Sequence, residues 1–323
     1  HLLSNTDWEI KCIASWRHDG VPERISDSEH FKRNSGRVEF FTHDLNAPLS
    51  DVLVQRLGDV SDIINFASDS NVDRSISEPA SVILNNTNVV VNMLEFARRL
   101  PSLKTFIQIS TDEVYGPAPE SHNHKEWEMI LPSNPYSASK AAQEAIAISY
   151  WRTYGVPLII TNTMNNIGER QSADKFLPKI IRSVVNGDSV SVHAVDKVIG
   201  SRYYLHARNH ADACMFLINK GAAVSYPAPG RQGPFSDVPA RYNVVGDVEL
   251  SNLQLAEHVA EILQMRLRYE LIDAHSQRPG HDLRYALDGA KIKEAGWSAP
   301  VSFQESLQRT VRWYIDNPEW LVV

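Results

Sequence analysis

The chain has 323 residues, a net charge of −7, 43% hydrophobic and 22% charged residues, and two cysteines. At about 150 residues per domain this length predicts roughly two domains, and the composition excludes a disordered or collagen-like chain. The negative charge offers nucleic acid no attractive field, no apolar run is long enough to span a bilayer, and the first residues lack a secretory signal. Cys12 and Cys214 are too few for a disulfide framework or a thiolate metal cluster. The expectation is a soluble, cytoplasmic protein with neither nucleic acid nor membrane as a partner.

In chain order, residues 9–14, 38–42, 62–67, 105–110 and 158–162 predict strands, and helical patterns over 82–100 and 137–154 lie between them. Strands alternating with helices imply βαβ units and a parallel sheet. Ligands of such sheets bind beyond the carboxyl ends of the strands, so chemistry is sought just after each one. Beyond residue 169 the pattern loosens: 226–234, rich in proline and glycine, predicts a surface loop, and helices are expected near 252–265 and 303–317.

The strongest local signal is Tyr136-Ser137-Ala138-Ser139-Lys140. Four residues make about one helical turn, so Tyr136 and Lys140 share a face. A tyrosine is a poor base near neutral pH unless a nearby cation favours its phenolate, and the pair suits removal of a proton from a sugar hydroxyl. On spacing alone, a solvated helix pair is the better explanation of Tyr-x-x-x-Lys, which chance produces often. The second signal is Ser110-Thr111-Asp112-Glu113-Val114-Tyr115-Gly116, at the carboxyl end of a predicted strand. Two adjacent carboxylates there can serve as acid and base if their environments differ, and Thr111 can hydrogen-bond the same hydroxyl as Tyr136.

Thr111-Asp112-Glu113 followed by Pro135-Tyr136-Ser137-Ala138-Ser139-Lys140 resembles the extended short-chain dehydrogenase/reductases, specifically the nucleotide-sugar 4,6-dehydratases of the dTDP-glucose type. Further matching stretches are 67–76, Asn165-Asn166-Ile167-Gly168, Lys175-Phe176-Leu177-Pro178, Arg278-Pro279-Gly280-His281-Asp282 and Gly296-Trp297. The resemblance implies an α/β fold with a Rossmann-like doubly wound parallel sheet over 1–168. A smaller α/β substrate-binding lobe would occupy 169–323, with some segments returning to the first domain. It implies an NDP-hexose substrate and the following chemistry. Tyr136, helped by Lys140 and Thr111, takes the proton of the 4-hydroxyl as C4 is oxidised; Glu113 removes the C5 proton; Asp112 protonates the departing 6-hydroxyl; and hydride returns to C6. Cofactor contacts are expected from Arg17, Asp44, Leu45, Phe66, Ala67, Ser68, Tyr136, Lys140 and Asn166. Substrate contacts are expected from Ser70, Thr111, Asn165, Lys175, Phe176, Arg202, Arg278 and His281. The alternatives are a nucleotide-sugar epimerase or decarboxylase, or a non-catalytic dinucleotide- or nucleotide-sugar-binding regulator.

The sequence also departs from the family. The Gly-x-x-Gly-x-x-Gly turn that cradles a pyrophosphate is absent, and the first residues correspond to the end of the family's first helix, so a preceding strand and glycine turn are expected outside the given sequence. Ala14 stands where NAD-preferring relatives carry an Asp, and Arg17 can pair with a 2′-phosphate, which tilts the cofactor expectation from NAD slightly toward NADP. Asp69, Ile167, Tyr203 and Gln277 are further substitutions, and Gln277 leaves the nucleobase open. His206 and His210 have a metal-like spacing but no third ligand, so the segment reads as structural and no metal is expected. Trp313-Tyr314 and Trp320 read as packing aromatics. Ala138, Ala141, Ala142 and Ala145 line the Tyr136 helix with small residues that permit close helix approach, and a homodimer through this helix and the one ending near Arg99 is expected.

Overall fold

The computed structural model describes residues 1–17, 20–227, 230, 233, 236–273 and 282–322. The chain forms two compact units: 1–110, 135–162 and 214–242 make the first, and 111–134, 163–213 and 243–323 make the second. The expectation is a boundary at 168/169 with some later segments returning to the first domain. Residues 111–134 pack with the second unit and 214–242 return to the first, because partners in this fold are set by strand order rather than by sequence distance.

In the first unit, β1 (Ile10–Ala14) pairs in parallel with β2 (Val38–Thr42), and β3 (Asp62–Asn65) pairs in parallel with β4 (Thr105–Thr111). β4 continues to β5 (Leu158–Thr163) and then to the strand Ala240–Val244, giving a four-stranded sheet that ends at β3. Among the described residues no strand joins the β1–β2 pair to this sheet. β4 and β5 are buried along their whole length, as expected of strands covered on both faces. The helices Pro79–Ala97 and Pro135–Tyr154 pack on them: Val90, Met93 and Leu94 from one and Ala147 from the other meet Phe106, Leu158 and Ile160 in a shared core. Each helix opens with a proline, whose missing amide hydrogen costs nothing in a first turn, and the second stops before Gly155 at φ +70°. A wholly buried ion pair between Glu144 and Arg241 ties the second helix to the strand Ala240–Val244, and Asn162 donates to the same carboxylate. Breaking such a pair leaves a buried charge without a counter-ion, which typically costs about 3–5 kcal/mol.

The second unit has its own core, where Ile180, Ile181, Leu255, Val259, Leu307 and Val311 interlock. These residues come from the helices Phe176–Asn186, Asn252–Leu263 and Phe303–Asp316. The middle helix begins with a capping box, Ser251 with Gln254, and the last is capped by Ser302. Trp313, Tyr314 and Trp320 pack within this core. Two small sheets complete the unit: Arg268–Asp273 lies parallel to Ser189–Val195, and Ser201–His206 is flanked by Glu249–Ser251 and Asn165–Ile167.

Candidate active site

β4 ends at Thr111 and the chain turns at once into a short 3-10 helix, Asp112–Tyr115, which belongs to the second unit. Thr111 builds the turn. Its hydroxyl donates to Asp112 Oδ1 at 2.8 Å and its oxygen accepts from the Glu113 amide at 3.3 Å. The Glu113 amide also donates to Asp112 Oδ1 at 3.1 Å. Gly116 closes the turn at φ +79°, and a Cβ there would collide with the Leu131 carbonyl, so no other residue fits. Asp112 is 3% exposed, and its Oδ2 is buried with no hydrogen-bond partner among the described residues. Glu113 is less enclosed and accepts from Asn134 Nδ2 at 3.1 Å.

Burial pushes the Asp112 carboxyl up to about 6, against the Thr111 hydrogen bond and the Arg202 charge, which favour ionisation. Burial and then the neighbouring Asp112 charge push Glu113 up to about 7, with Asn134 and Arg202 opposing. Both carboxyls are raised although Asp112 is the more enclosed, and their mutual repulsion lets the pair hold one proton near neutral pH.

Tyr136 and Lys140 belong to the first unit, one turn apart on the helix Pro135–Tyr154 and both buried. Lys140 Nζ donates to the Ile109 carbonyl at 2.8 Å and to Gln143 Oε1 at 2.6 Å. Burial lowers its pKa to about 8, with the Glu144 charge opposing, so the ammonium persists at neutral pH. A buried amide network supports it. Gln143 Nε2 donates to the Asn86 carbonyl at 2.8 Å, Gln108 Nε2 donates to Gln143 Oε1 at 3.2 Å, and Asn65 Nδ2 donates to Gln108 Oε1 at 2.8 Å. Asn86 Nδ2 also donates to Ser139 Oγ, which in turn donates to the Tyr136 carbonyl. Sequence reasoning missed Asn65, Asn86, Gln108, Gln143 and Asn134. The available signal was Gln143 three residues past Lys140, and Gln108 in the middle of an otherwise apolar strand.

The expected cofactor residues of the first unit lie just after its parallel strands. Arg17 follows β1 and pairs with Asp44, which follows β2, at 2.9 Å. Asp44 Oδ1 also accepts from the Asn46 amide, and Leu45 is in the core. Phe66 follows β3 and is 54% exposed, an aromatic face the core does not use. The Ala67 carbonyl accepts from Gln143, and Ser68 donates to the Asp69 carbonyl. A carboxylate and an exposed ring at the carboxyl ends of parallel strands fit the nucleoside part of a dinucleotide. Among the described residues there is no glycine-rich turn for its pyrophosphate. Arg17, on which the lean to NADP rests, is paired with Asp44. Asn166 lies in the second unit, its Nδ2 bonded to the Met164 carbonyl and its Oδ1 buried without a partner among the described residues.

Of the expected substrate residues, Ser70 is exposed in the first unit, and Asn165 is exposed at the start of its strand in the second. Lys175 precedes the helix Phe176–Asn186 beside Asp174 at 3.8 Å, and Phe176 packs on the second core. Arg202 differs from the expectation of a diphosphate grip. It is 5% exposed, donates to the carbonyls of Ser201, Leu283 and Asp282, and lies over the Tyr285 ring at 4.5 Å. Its guanidinium therefore holds the 282–283 segment in place, and its charge favours ionisation of the acid pair. Arg278 and His281, with Gln277, lie outside the described residues. His206 pairs with Glu169 at 3.0 Å, whereas burial lowers His210 to about 4 and keeps it neutral.

The profile of the GDP-mannose 4,6-dehydratase family matches residues 1–310. The chain is 34% identical over 290 residues to dTDP-glucose 4,6-dehydratase of Streptomyces niveus, covering 85% of this chain and 80% of that one. It is 30% identical over 349 residues to dTDP-glucose 4,6-dehydratase of Escherichia coli, covering 99% and 90%. The solved structure of dTDP-glucose 4,6-dehydratase from Bacillus anthracis in complex with NAD superposes with a TM-score of 0.81 at 26% identity, over 99% of this chain and 92% of that one.

Proposed function

The chain belongs to the GDP-mannose 4,6-dehydratase family, and from that premise we propose that it is a nucleoside-diphosphate-hexose 4,6-dehydratase, an NAD-dependent hydro-lyase that yields a 4-keto-6-deoxy sugar. The observation that carries the reading is the acid pair: two adjacent buried carboxyls, both raised into the neutral range, one with an oxygen that no described residue engages. Removing water across C5 and C6 needs a base and an acid at once, and a pair holding one proton supplies both.

When bound, NAD would supply the hydride acceptor for oxidation at C4 and the hydride donor for reduction at C6. The protein's own groups move the protons. Tyr136 takes the proton of the 4-hydroxyl, and the Lys140 ammonium, held by Ile109 and Gln143, favours the phenolate that this step needs. The C4 ketone acidifies the C5 hydrogen, which Glu113 removes. In the tautomer with the shared proton on Asp112, the minor one because Glu113 is raised further, Asp112 delivers that proton to the 6-hydroxyl, which leaves as water. Glu113 then returns a proton to C5 as C6 is reduced. Thr111 serves by fixing Asp112 Oδ1, which leaves Oδ2 for the proton in transit.

Asp44, Arg17, Phe66, Ala67 and Ser68 would hold the nucleoside portion of NAD, and Asp44 favours NAD over NADP. The relatives' names point to a dTDP-hexose as the nucleotide sugar. We place the enzyme in the cytoplasm, in accord with two unpaired cysteines and with no described helix long and apolar enough to cross a membrane. A homodimer is expected through the helices Pro79–Ala97 and Pro135–Tyr154, the first of which leaves Leu84 exposed; a monomer in light scattering would contradict it. Incubation with NAD and dTDP-, UDP-, GDP- and CDP-hexoses tests the activity. A 4-keto-6-deoxy product from at least one is expected, and an epimer or pentose without it would overturn the assignment.

A further inference from the structure

Beyond the acid turn the chain runs through His122, Asn123, His124 and on to Glu128, all in the second unit. The side chains of His122, His124 and Glu128 converge, with their nearest donor atoms all within 4.8 Å of one another. Glu128 Oε2 lies 2.9 Å from His122 Nε2 and 2.8 Å from His124 Nδ1. Among the described residues no other three histidine, cysteine or acidic side chains gather in this way.

Each donor is held from behind. The Lys125 amide donates to the other Glu128 oxygen, Oε1, at 3.0 Å, so the carboxylate presents Oε2 alone. The His124 ring stacks on Tyr115 at 5.3 Å with 17° between the planes, and its backbone pairs with Ala286 and Asp288. The His122 carbonyl accepts from Arg284, which also reaches Pro119, Asn123 and Glu249.

We propose that His122, His124 and Glu128 bind one first-row divalent transition ion of the zinc class, with the open side of the cluster left for water. Two imidazoles and one carboxylate are a recurring donor set for such ions, whereas Mg²⁺ and Ca²⁺ take mainly oxygen. An ion about 2.1 Å from each donor in a tetrahedron sets the donors about 3.4 Å apart, within the range the cluster already spans. The Glu128 carboxylate, fixed through Oε1, and the Tyr115-stacked His124 ring supply the outer-shell orientation that metal ligands need. The ion serves as a tether. It locks residues 122–128 beside 284–288, which follow directly on the Arg278–His281 motif, and it takes no part in the proton transfers assigned to Asp112 and Glu113. The site stands whether or not the dehydratase reading holds.

The test is a titration of the full chain, freed of metal with chelator, with Co²⁺ followed by visible absorption and with Zn²⁺ followed by calorimetry. One equivalent of each is expected to bind, with a Co²⁺ spectrum of low coordination number and a raised melting temperature. H122A and E128Q should each weaken binding at least about tenfold, while H258A, remote in sequence on the helix Asn252–Leu263, leaves it unchanged. The His122 side chain is 44% exposed, so H122A is expected to melt like the parent chain in chelator, which separates loss of a ligand from loss of fold. Absence of saturable binding at micromolar metal, or binding by H122A and E128Q equal to that of the parent chain, would overturn the proposal and leave a hydrogen-bonded His–Glu–His cluster only.

Discussion

The acid turn and the Tyr136 helix bury charge in opposite ways. Lys140 is enclosed but held: a carbonyl and an amide oxygen accept two of its three hydrogens, and further amides brace those partners. Asp112 is equally enclosed, yet one of its oxygens has no described partner and a second acid sits beside it. Burial alone moves both groups toward neutrality. The difference in partners makes one a fixed cation and the other half of a mobile-proton pair. Buried polarity thus serves positioning where it is satisfied and proton transfer where it is left open.

Removing the mobile proton is the sharpest way to break this contrast. Asp112→Asn and Glu113→Gln should each lower product formation by about 10²- to 10⁴-fold while NAD binding, followed by fluorescence titration, stays within error. In deuterated water Asp112→Asn should still exchange the C5 hydrogen and Glu113→Gln should not; Tyr136→Phe, which blocks the ketone, should lose exchange and product together. If both acid variants exchange C5 alike, the division of roles between them is wrong.

Loosening the fixed cation comes next. Gln143→Ala strips a buried acceptor from Lys140 and should cost about 1–3 kcal/mol in chemical denaturation, with a smaller loss of turnover than Tyr136→Phe. Unchanged stability would mean that the amide network does not hold the lysine. A milder probe is pH. Catalysis needs one carboxyl protonated and one ionised, so kcat/KM should fall below about 6, where both are protonated, and above about 7, where both are ionised. A flat profile from 5 to 8 would contradict the raised pair.

The smallest expected effect is on stability. Asp112 binds its proton more tightly folded than unfolded, so its ionised form is destabilising above about 6, and that cost fades as pH falls toward 4. Asp112→Asn should therefore stabilise the protein at pH 8 by up to about 2 kcal/mol, with the gain vanishing near pH 4. A gain that is independent of pH would point to packing instead.

The outline of both regions is legible in the sequence for a physical reason. β4 and β5 are apolar enough to be called as strands, and strand ends in such sheets are where ligands meet the chain, so Thr111-Asp112-Glu113 stands out. Tyr136 and Lys140 are one helical turn apart, and a helix keeps its period. What escapes is anything set by contacts distant in sequence. Gln108 and Gln143 look like interruptions of an apolar pattern until Asn65 and Lys140 are seen to satisfy them. Arg202 is expected among the substrate contacts, yet the Asp282 and Leu283 carbonyls and Tyr285 enclose it. His122, His124 and Glu128 sit in a loop with no periodicity to reveal that they converge. The lean to NADP finds no support for the same reason, since Arg17 shows its partner Asp44 only after β1 and β2 pair.

The proposed activity oxidises C4, eliminates water across C5 and C6, and reduces C6. The most direct test is to convert a dTDP-hexose carrying deuterium at C4 in ordinary water and to locate the label in the product by NMR. The account predicts a 4-keto-6-deoxy sugar with the deuterium at C6 and an unlabelled hydrogen at C5. A product that keeps its 6-hydroxyl, or a label returned to C4 as in an epimerisation, would contradict it.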